Sequence, residues 1–283
     1  MLLFLVFNIA SFFYAIYISL WKWGLLGAID FRGLGNYQRL LSDDVFIHAV
    51  TNTLFYAVIV VPAEMAVGLV LAVVVNAKLR GQTFFRAAFY FPAIASSAAI
   101  TVLFIFIMAP DGLFNHARTA LGLDPVFAAF GFGPGYDWLG QARTALQSVM
   151  ALNVWTTSGT IMLFYLASLQ AISREVYEAA AIDGASTWQT FWRITFPLLR
   201  PGHFFVAAVS IIGALQVFDQ AIIVGGSDGS PNNALMTIVL YLYNAAIKQI
   251  ALGYAAAVGV VLFVLIFTAT LVLRRTVGQT PSW

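Results

Sequence analysis

Two carboxylates, Glu64 and Asp219, stand inside stretches of this 283-residue chain that are otherwise apolar. A carboxyl at bilayer depth costs ~2.5 to 3.5 kcal/mol on insertion scales, so it faces protein, water or a ligand. Two chemistries suit such groups. One is proton transfer coupled to solute movement in an ion-driven carrier, with Glu64 or Asp219 as the proton site. The other is an intramembrane aspartyl protease, in which two aspartates share a proton as general acid and base. A dyad needs a second aspartate at the same depth. The possible partners of Asp219, Asp137 and Asp228, fall in glycine-rich segments between apolar runs, so the dyad does not assemble easily. An ion-coupled carrier is expected to carry inverted repeats, and no such repeat is visible in this sequence.

Other chemistry is ruled out by residue type and spacing. A phosphate-cradling loop ends in Gly-Lys-Ser or Gly-Lys-Thr, yet Lys22, Lys78 and Lys248 follow Trp21, Ala77 and Ile247. The chain therefore carries no ATPase motif of its own. None of His48, His116 and His203 is followed by glutamate, so the zinc-protease helix motif is missing, and each reads as a loop or interfacial side chain. Cysteine is absent, which excludes disulfides and thiolate metal sites. A formal charge of +2 gives no reason to invoke nucleic acid.

The elements that must hold the few polar groups are set by composition. Hydrophobic residues make up 61% of the chain and charged residues 9%. No soluble domain can bury so much apolar surface inside itself, so an all-α, polytopic membrane helix bundle is expected. Apolar runs at 2–20, 48–75, 87–108, 144–169, 203–224 and 250–273 each approach the ~20 residues a spanning helix needs. The first lacks a basic leader and an Ala-x-Ala-like cleavage site, and reads as a retained helix. Six spans put both termini on one side. Lys78, Arg80 and Arg86 crowd one short loop, Arg174, Arg193 and Arg200 another, and Arg274 and Arg275 the tail. The positive-inside rule then predicts a multi-pass protein of the cell membrane with both termini cytoplasmic.

The loop at 173–200 is the most informative segment. Ser173 is placed to cap a helix whose first turn carries Glu175, where the positive end of the helix dipole favours an anion. Gly184 can end that helix in the left-handed conformation. Ser186 and Gln189 have capping-box spacing for a second short helix, which Pro197 is expected to break before the next span. Helical spacing puts Val176, Ala179, Ala180 and Asp183 on one low face beside Arg174, Glu175 and Glu178. Such a face suits docking into a groove of another protein.

Glu178-Ala179-Ala180, three residues, Gly184, nine residues, then Ile194-Thr195-Phe196-Pro197 resembles the EAA loop of permease subunits in binding-protein-dependent ATP-binding-cassette importers. Phe196 stands where the family usually has leucine. Further matches are Gly33-Leu34-Gly35-Asn36-Tyr37, Phe84-Phe85-Arg86 before Phe91-Pro92, Leu169-Gln170-Ala171-Ile172, Phe218-Asp219 and Gly253-Tyr254-Ala255-Ala256-Ala257. The likeness is to the carbohydrate-importing branch. It implies one type-1 transmembrane domain over 1–283, working by alternating access as a conduit and not an enzyme. It also implies that Glu175, Glu178, Ala179, Ala180, Asp183, Gly184 and Pro197 couple the chain to ATPase subunits. The implied partners are a second homologous permease in a heterodimer, two ATPase subunits that use ATP and magnesium, an extracytoplasmic solute-binding protein and the lipid bilayer. No cofactor is expected on this chain.

A sugar in transit needs hydroxyl-matching polar groups and flat aromatic faces within an apolar path. The fourth run supplies Asn153, Trp155, Thr156, Thr157 and Ser158, the fifth Gln216, Asp219 and Gln220, and the second Glu64. The competing reading of these groups is hydrogen bonding between helices. Residues 109–143 are expected to form a lid, a docking surface or a solvated loop, and 225–248, with Gly225-Gly226-Ser227, to lie in the interface or re-enter partway.

Overall fold

The computed structural model describes residues 5–77 and 81–276. Residues 1–4 of the first expected span, Lys78 and Arg80 of the first basic loop, and the chain after Thr276 lie outside these. A π-helical stretch, Leu5–Ala10, leads into α1 (Ser11–Ser19). An antiparallel hairpin follows, β1 (Trp21–Gly24) and β2 (Gly27–Phe31), which the all-helical expectation did not include. Gly27, at φ +112, makes the tight return possible, and the Trp21 and Phe31 rings meet across the strands at 5.0 Å.

Then come α2 (Gly35–Leu41) and the long α3 (Asp44–Asn76). The Asp43 carboxylate accepts the N–H groups of Val45 and Phe46 at 3.1 Å each, which satisfies donors at the start of α3. Pro62 lies inside α3, as neighbouring helices permit in a membrane bundle. The third expected span is divided into α4 (Gln82–Ile94) and α5 (Ser97–Met108). Pro92 donates no backbone hydrogen bond in the last turn of α4, and Ala95 leaves helical geometry at ψ 155.

Beyond it the chain forms α6 (Leu113–Ala120), α7 (Asp124–Ala129) and the fourth span, α8 (Ala145–Gln170). The loop segment contains α9 (Arg174–Ile182), α10 (Thr187–Thr190), a π-helical stretch Phe191–Thr195 and the single turn α11 (Phe196–Leu198). The fifth span divides into α12 (Arg200–Leu215) and α13 (Asp219–Gly225). A short apolar helix, α14 (Ile238–Tyr243), passes into a π-helical stretch, Asn244–Lys248, and the described residues end in α15 (Leu252–Thr276). By length and apolar content, Asp44–Asn76, Ala145–Gln170, Arg200–Gly225 and Leu252–Thr276 can each cross a membrane, while α4 and α5 reach that length and apolar content only when taken together across their break.

The described chain forms two compact units. One comprises the described parts of 1–56, 97–149 and 215–267, the other those of 57–96, 150–214 and 268–283. In the first, Asn36 donates from Nδ2 to the carbonyls of Ser19 and Trp21 at 2.7 and 2.9 Å, so the Gly-x-x-Asn-Tyr run clasps the hairpin to the end of α1. Residues 109–143 form a locally packed substructure with two short helices. The guanidinium of Arg118, 1% exposed, pairs with Asp124 at 2.8 Å and donates to the Gly133 carbonyl at 2.7 Å. Trp138 donates to Asn115 Oδ1 at 3.0 Å beneath a cage of Phe114, Phe127, Phe132 and Tyr136.

The segment after α13 is pinned in the same unit. Asn52 Nδ2 reaches the carbonyls of Asn233, Ala234 and Met236 within 3.0 to 3.2 Å, and the Thr53 hydroxyl accepts the Ile238 N–H at 3.0 Å. Asp43 Oδ2 accepts from Tyr241 at 2.7 Å and Tyr254 at 3.2 Å. In the second unit, close approaches at small residues hold the helices. A Cβ on Gly68 would stand 2.4 Å from Ile161, one on Gly159 2.4 Å from the Phe89 carbonyl, and one on Gly202 2.5 Å from Ser168 Oγ.

Candidate functional site

The loop after α8 is built as two helices around a sharp bend. Ser173 occupies the N-cap of α9 with extended backbone, but its side chain makes no cap hydrogen bond, so the expected hydroxyl cap is absent. Glu175 lies in the first turn. Gly184 takes φ +72, with its N–H on the Ala181 carbonyl at 3.1 Å and the Ala185 N–H on the Ala180 carbonyl at 3.0 Å. These paired bonds form the Schellman closure, which uses up carbonyls the helix end leaves free. Ser186 and Gln189 form the reciprocal capping box at the start of α10.

Pro197 does not end α10 as expected. It falls in the first turn of α11, and the strain is absorbed upstream, where Phe191–Thr195 widens into π geometry. The proline ring opposes the carbonyl four residues back, and a wider turn moves that carbonyl away.

The predicted low face is split. Ala180 is buried, and Val176 and Tyr177 are half-buried against the protein, while Glu175, Glu178, Ala179 and Asp183 are exposed. The outward surface of α9 and the bend therefore presents three acids, Glu175, Glu178 and Asp183, the small Ala179 and Gly184, and the side chain of Ile182, which is 87% exposed. Ile182 and the exposed Trp188 escaped the sequence reading. Their signal was an isoleucine and a tryptophan within four residues of the bend glycine, the first next to Asp183 and the second between Thr187 and Gln189, since uncovered large apolar side chains mark contact surfaces.

Roots of this loop lie in the second unit's core. Ile172, Phe191 and Leu199 pack with Leu69, Ile161, Tyr165 and Val206. Thr195 donates to the Tyr177 hydroxyl at 3.4 Å, tying α9 to the exit of the loop. Between α3 and the loop is a groove of about 1020 Å³, with Leu69, Val73, Tyr177, Ala181, Trp188 and Trp192 on its walls.

The residues predicted to line a path fall in both units. In the second, Glu64 is 2% exposed, and its carboxyl is faced by the hydroxyls of Ser210 and Thr157. Thr157 donates to Asn153 Oδ1 at 3.4 Å and Thr156 to the Asn153 carbonyl at 3.1 Å, so Glu64, Asn153 and the threonines belong to one polar cluster. Trp155 is exposed on the same helix. In the first unit Gln216 and Asp219 are exposed and Gln220 half-buried, all at the break between α12 and α13. There the Val217 carbonyl, freed from helical pairing, accepts the Thr237 hydroxyl at 2.9 Å. Asp137 accepts the Gly140 N–H at 2.8 Å and Asp228 the Ser227 hydroxyl at 3.1 Å. Among the described residues, no group of three or more His, Asp or Glu side chains is placed to hold a metal.

Residues 64–278 match the family described as binding-protein-dependent transport system inner membrane component. The probable ABC transporter permease protein YurN of Bacillus subtilis is 37% identical over 97% of this chain and 91% of its own length. The multiple sugar-binding transport system permease protein MsmF of Streptococcus mutans is 34% identical over 92% of this chain and 86% of its own. A solved bacterial ABC transporter involved in import of the acidic polysaccharide alginate superposes with a TM-score of 0.78 at 23% identity, over 97% of this chain and 92% of that one. At that identity the likeness concerns the fold, a helical membrane bundle. Together with the Glu178 to Pro197 loop, the match across more than half its length establishes that this chain belongs to the binding-protein-dependent transport system inner membrane component family.

Proposed function

We propose that this chain is the membrane conduit of an ATP-driven importer of neutral saccharides, paired with a second, homologous permease. Two ATPase subunits, using ATP and magnesium, dock on the surface formed by Glu175, Glu178, Ala179, Ile182, Asp183 and Gly184, and an extracytoplasmic solute-binding protein delivers the cargo. The reading rests on one observation: a solvent-exposed, Schellman-closed helix whose flanks are packed into the core of a membrane helix unit. That construction delivers force to the spans without dissipating it in a loose linker. Basic residues on this side, Arg86, Arg174, Arg193, Arg274 and Arg275, support cytoplasmic termini.

Saccharide cargo is supported by the sugar-system relative and by the polar cluster around Asn153 and Thr156, with no arginine or lysine in that span. Switching a two-state conduit from 1:99 to 99:1 takes ~5.5 kcal/mol of differential binding. In this reading that free energy crosses the α9 contact. Co-purification tests the assembly: the wild-type chain retains the ATPase subunits, and Glu178→Lys releases them while remaining in the membrane. Titration of the cognate solute-binding protein with a panel of neutral sugars tests the cargo. Binding of none of them, or wild-type retention of the ATPase by Glu178→Lys, contradicts the proposal.

A further inference from the structure

We propose that His203 is a positioning residue that clamps the exit of the coupling loop to the fourth and fifth spans, making α8, α12 and the loop a single rigid lever. This rests on the coupling role proposed above and names the part that keeps the lever stiff. His203 lies in the first turn of α12, half-buried, with both ring nitrogens engaged. Nδ1 is 3.0 Å from the hydroxyl of Tyr165 on α8, a side chain 1% exposed, and Nε2 is 3.2 Å from the backbone carbonyl of Phe196.

A carbonyl can only accept, so Nε2 carries the proton and donates to Phe196, and in the neutral ring Nδ1 is left to accept from the Tyr165 O–H. Each group is used in the one role it has available. The rings add contact: Phe196 and His203 centroids are 4.5 Å apart, Tyr165 and His203 5.3 Å. Gly202 lets this happen, since a Cβ there would stand 2.5 Å from Ser168 Oγ, one turn along α8 from Tyr165. The anchored carbonyl belongs to the residue preceding Pro197, directly after the π-helical stretch Phe191–Thr195. Thr195, adjacent to it, reaches Tyr177 of α9 at 3.4 Å, which completes a chain of contacts from the docking helix to the span.

The lever is measured in the assembled importer, reconstituted with its partner permease and ATPase subunits. Because the chain has no cysteine, nitroxide labels go to Arg174→Cys at the start of α9 and Gly213→Cys near the far end of α12. Both positions are exposed, and a Cβ at Gly213 meets nothing within 4 Å. Pulsed electron resonance then reads the distance with and without ATP and vanadate. A rigid lever gives one narrow distance that nucleotide trapping does not shift. His203→Ala and Tyr165→Phe are expected to lose that single peak, with a second distance appearing on trapping, while ATP hydrolysis continues.

His203→Asn keeps an acceptor near Nδ1 and His203→Gln a donor near Nε2, so each restores one end only, and neither brings back the single peak. A mere space-filler would be replaced by one of them, and recovery of the narrow peak in either variant overturns the proposal. An unchanged peak in Tyr165→Phe also overturns it, and that variant removes a single oxygen and so survives any failure of His203→Ala to fold. If the peak behaves as expected but Glu178→Lys retains the ATPase subunits, the clamp stands and the coupling reading falls.

Discussion

The bend at Gly184 gives the most quantitative test of the docking surface. Gly184 sits at φ +72, and a Cβ built on it meets nothing within 4 Å. Substitution therefore carries no steric penalty, and its whole effect comes from the backbone. For an L-residue the left-handed conformation costs roughly 1 to 2 kcal/mol. The Schellman closure that opposes it consists of two backbone hydrogen bonds, each worth about 0.5 to 1.5 kcal/mol net. The penalty thus matches what holds the bend, and Gly184→Ala should lower its population from nearly complete to on the order of one half or less.

Apparent affinity for the ATPase subunit falls in proportion to the competent fraction. Asparagine tolerates this region better and valine worse, so affinity should rank Gly184, Gly184→Asn, Gly184→Ala, Gly184→Val. Titration of detergent-solubilised permease pair with fluorescent ATPase subunit reads the order. Alanine ordinarily stabilises a helix by ~1 kcal/mol relative to glycine, so an ending in right-handed geometry predicts the opposite sign. Equal affinities for alanine and asparagine, or tighter binding with alanine, would refute the reasoning.

Gly202→Ala overpacks the contact with Ser168 and should destabilise the solubilised protein by about 1 to 3 kcal/mol, with Ser168→Gly in the same chain restoring the melting temperature. Arg118→Met removes the buried guanidinium that bonds Asp124 and the Gly133 carbonyl and should loosen the 109–143 substructure by about 1.5 to 3 kcal/mol, read as new protease cleavage there with membrane insertion intact. Burial raises the Asp43 carboxyl pKa, but hydrogen bonds from Tyr241, Phe46, Tyr254 and Val45 outweigh it, and the net shift is downward. A depressed folded pKa contributes stability that is complete above the ordinary carboxylate range and is lost as pH falls through the lowered value. The tether between α3 and the segment after α13 should therefore hold at neutral pH and weaken only in acid. Asp43→Asn should flatten the acid limb of a melting-temperature profile measured between neutral and strongly acidic pH.

Local rules were readable in the sequence wherever a residue acts on its neighbours. Gly184 ends α9 and Ser186 and Gln189 cap α10, because each depends on contacts three or four residues away, and the apolar runs at 48–75, 144–169, 203–224 and 250–273 fall on helices long enough to cross a membrane. Pro197 misled for a related reason: its effect was relieved upstream as a π-helical stretch, so the chain kept turning. The outward face of α9 was assigned by helical spacing alone. Spacing gives which residues share a side but not which side the core takes, and the packing of Tyr177 and Ala180 decided it.

Long-range pairs had no local trace. Asn52 meets carbonyls 181 to 184 residues away, and Asp43 meets Tyr254 across 211 residues. Nothing in the composition of 225–248 announces those partners. The hairpin at 21–31 was hidden because its strands are only four and five residues long and begin directly after a helix. His203 looked like an interfacial side chain, since its partners Tyr165 and Phe196 become neighbours only once α8 and α12 are packed.

The central claim is that the Ile182 surface faces the cytoplasm and is covered by a separate ATPase. In a chain without cysteine, Ile182→Cys, on a side chain 87% exposed in this protein alone, is a reporter for both halves of that statement. A membrane-impermeant maleimide should label it in inside-out vesicles and not in right-side-out ones, and co-expressed ATPase subunits should abolish the labelling. Reaction from the exterior, or full reaction in the presence of the ATPase subunits, would contradict the account.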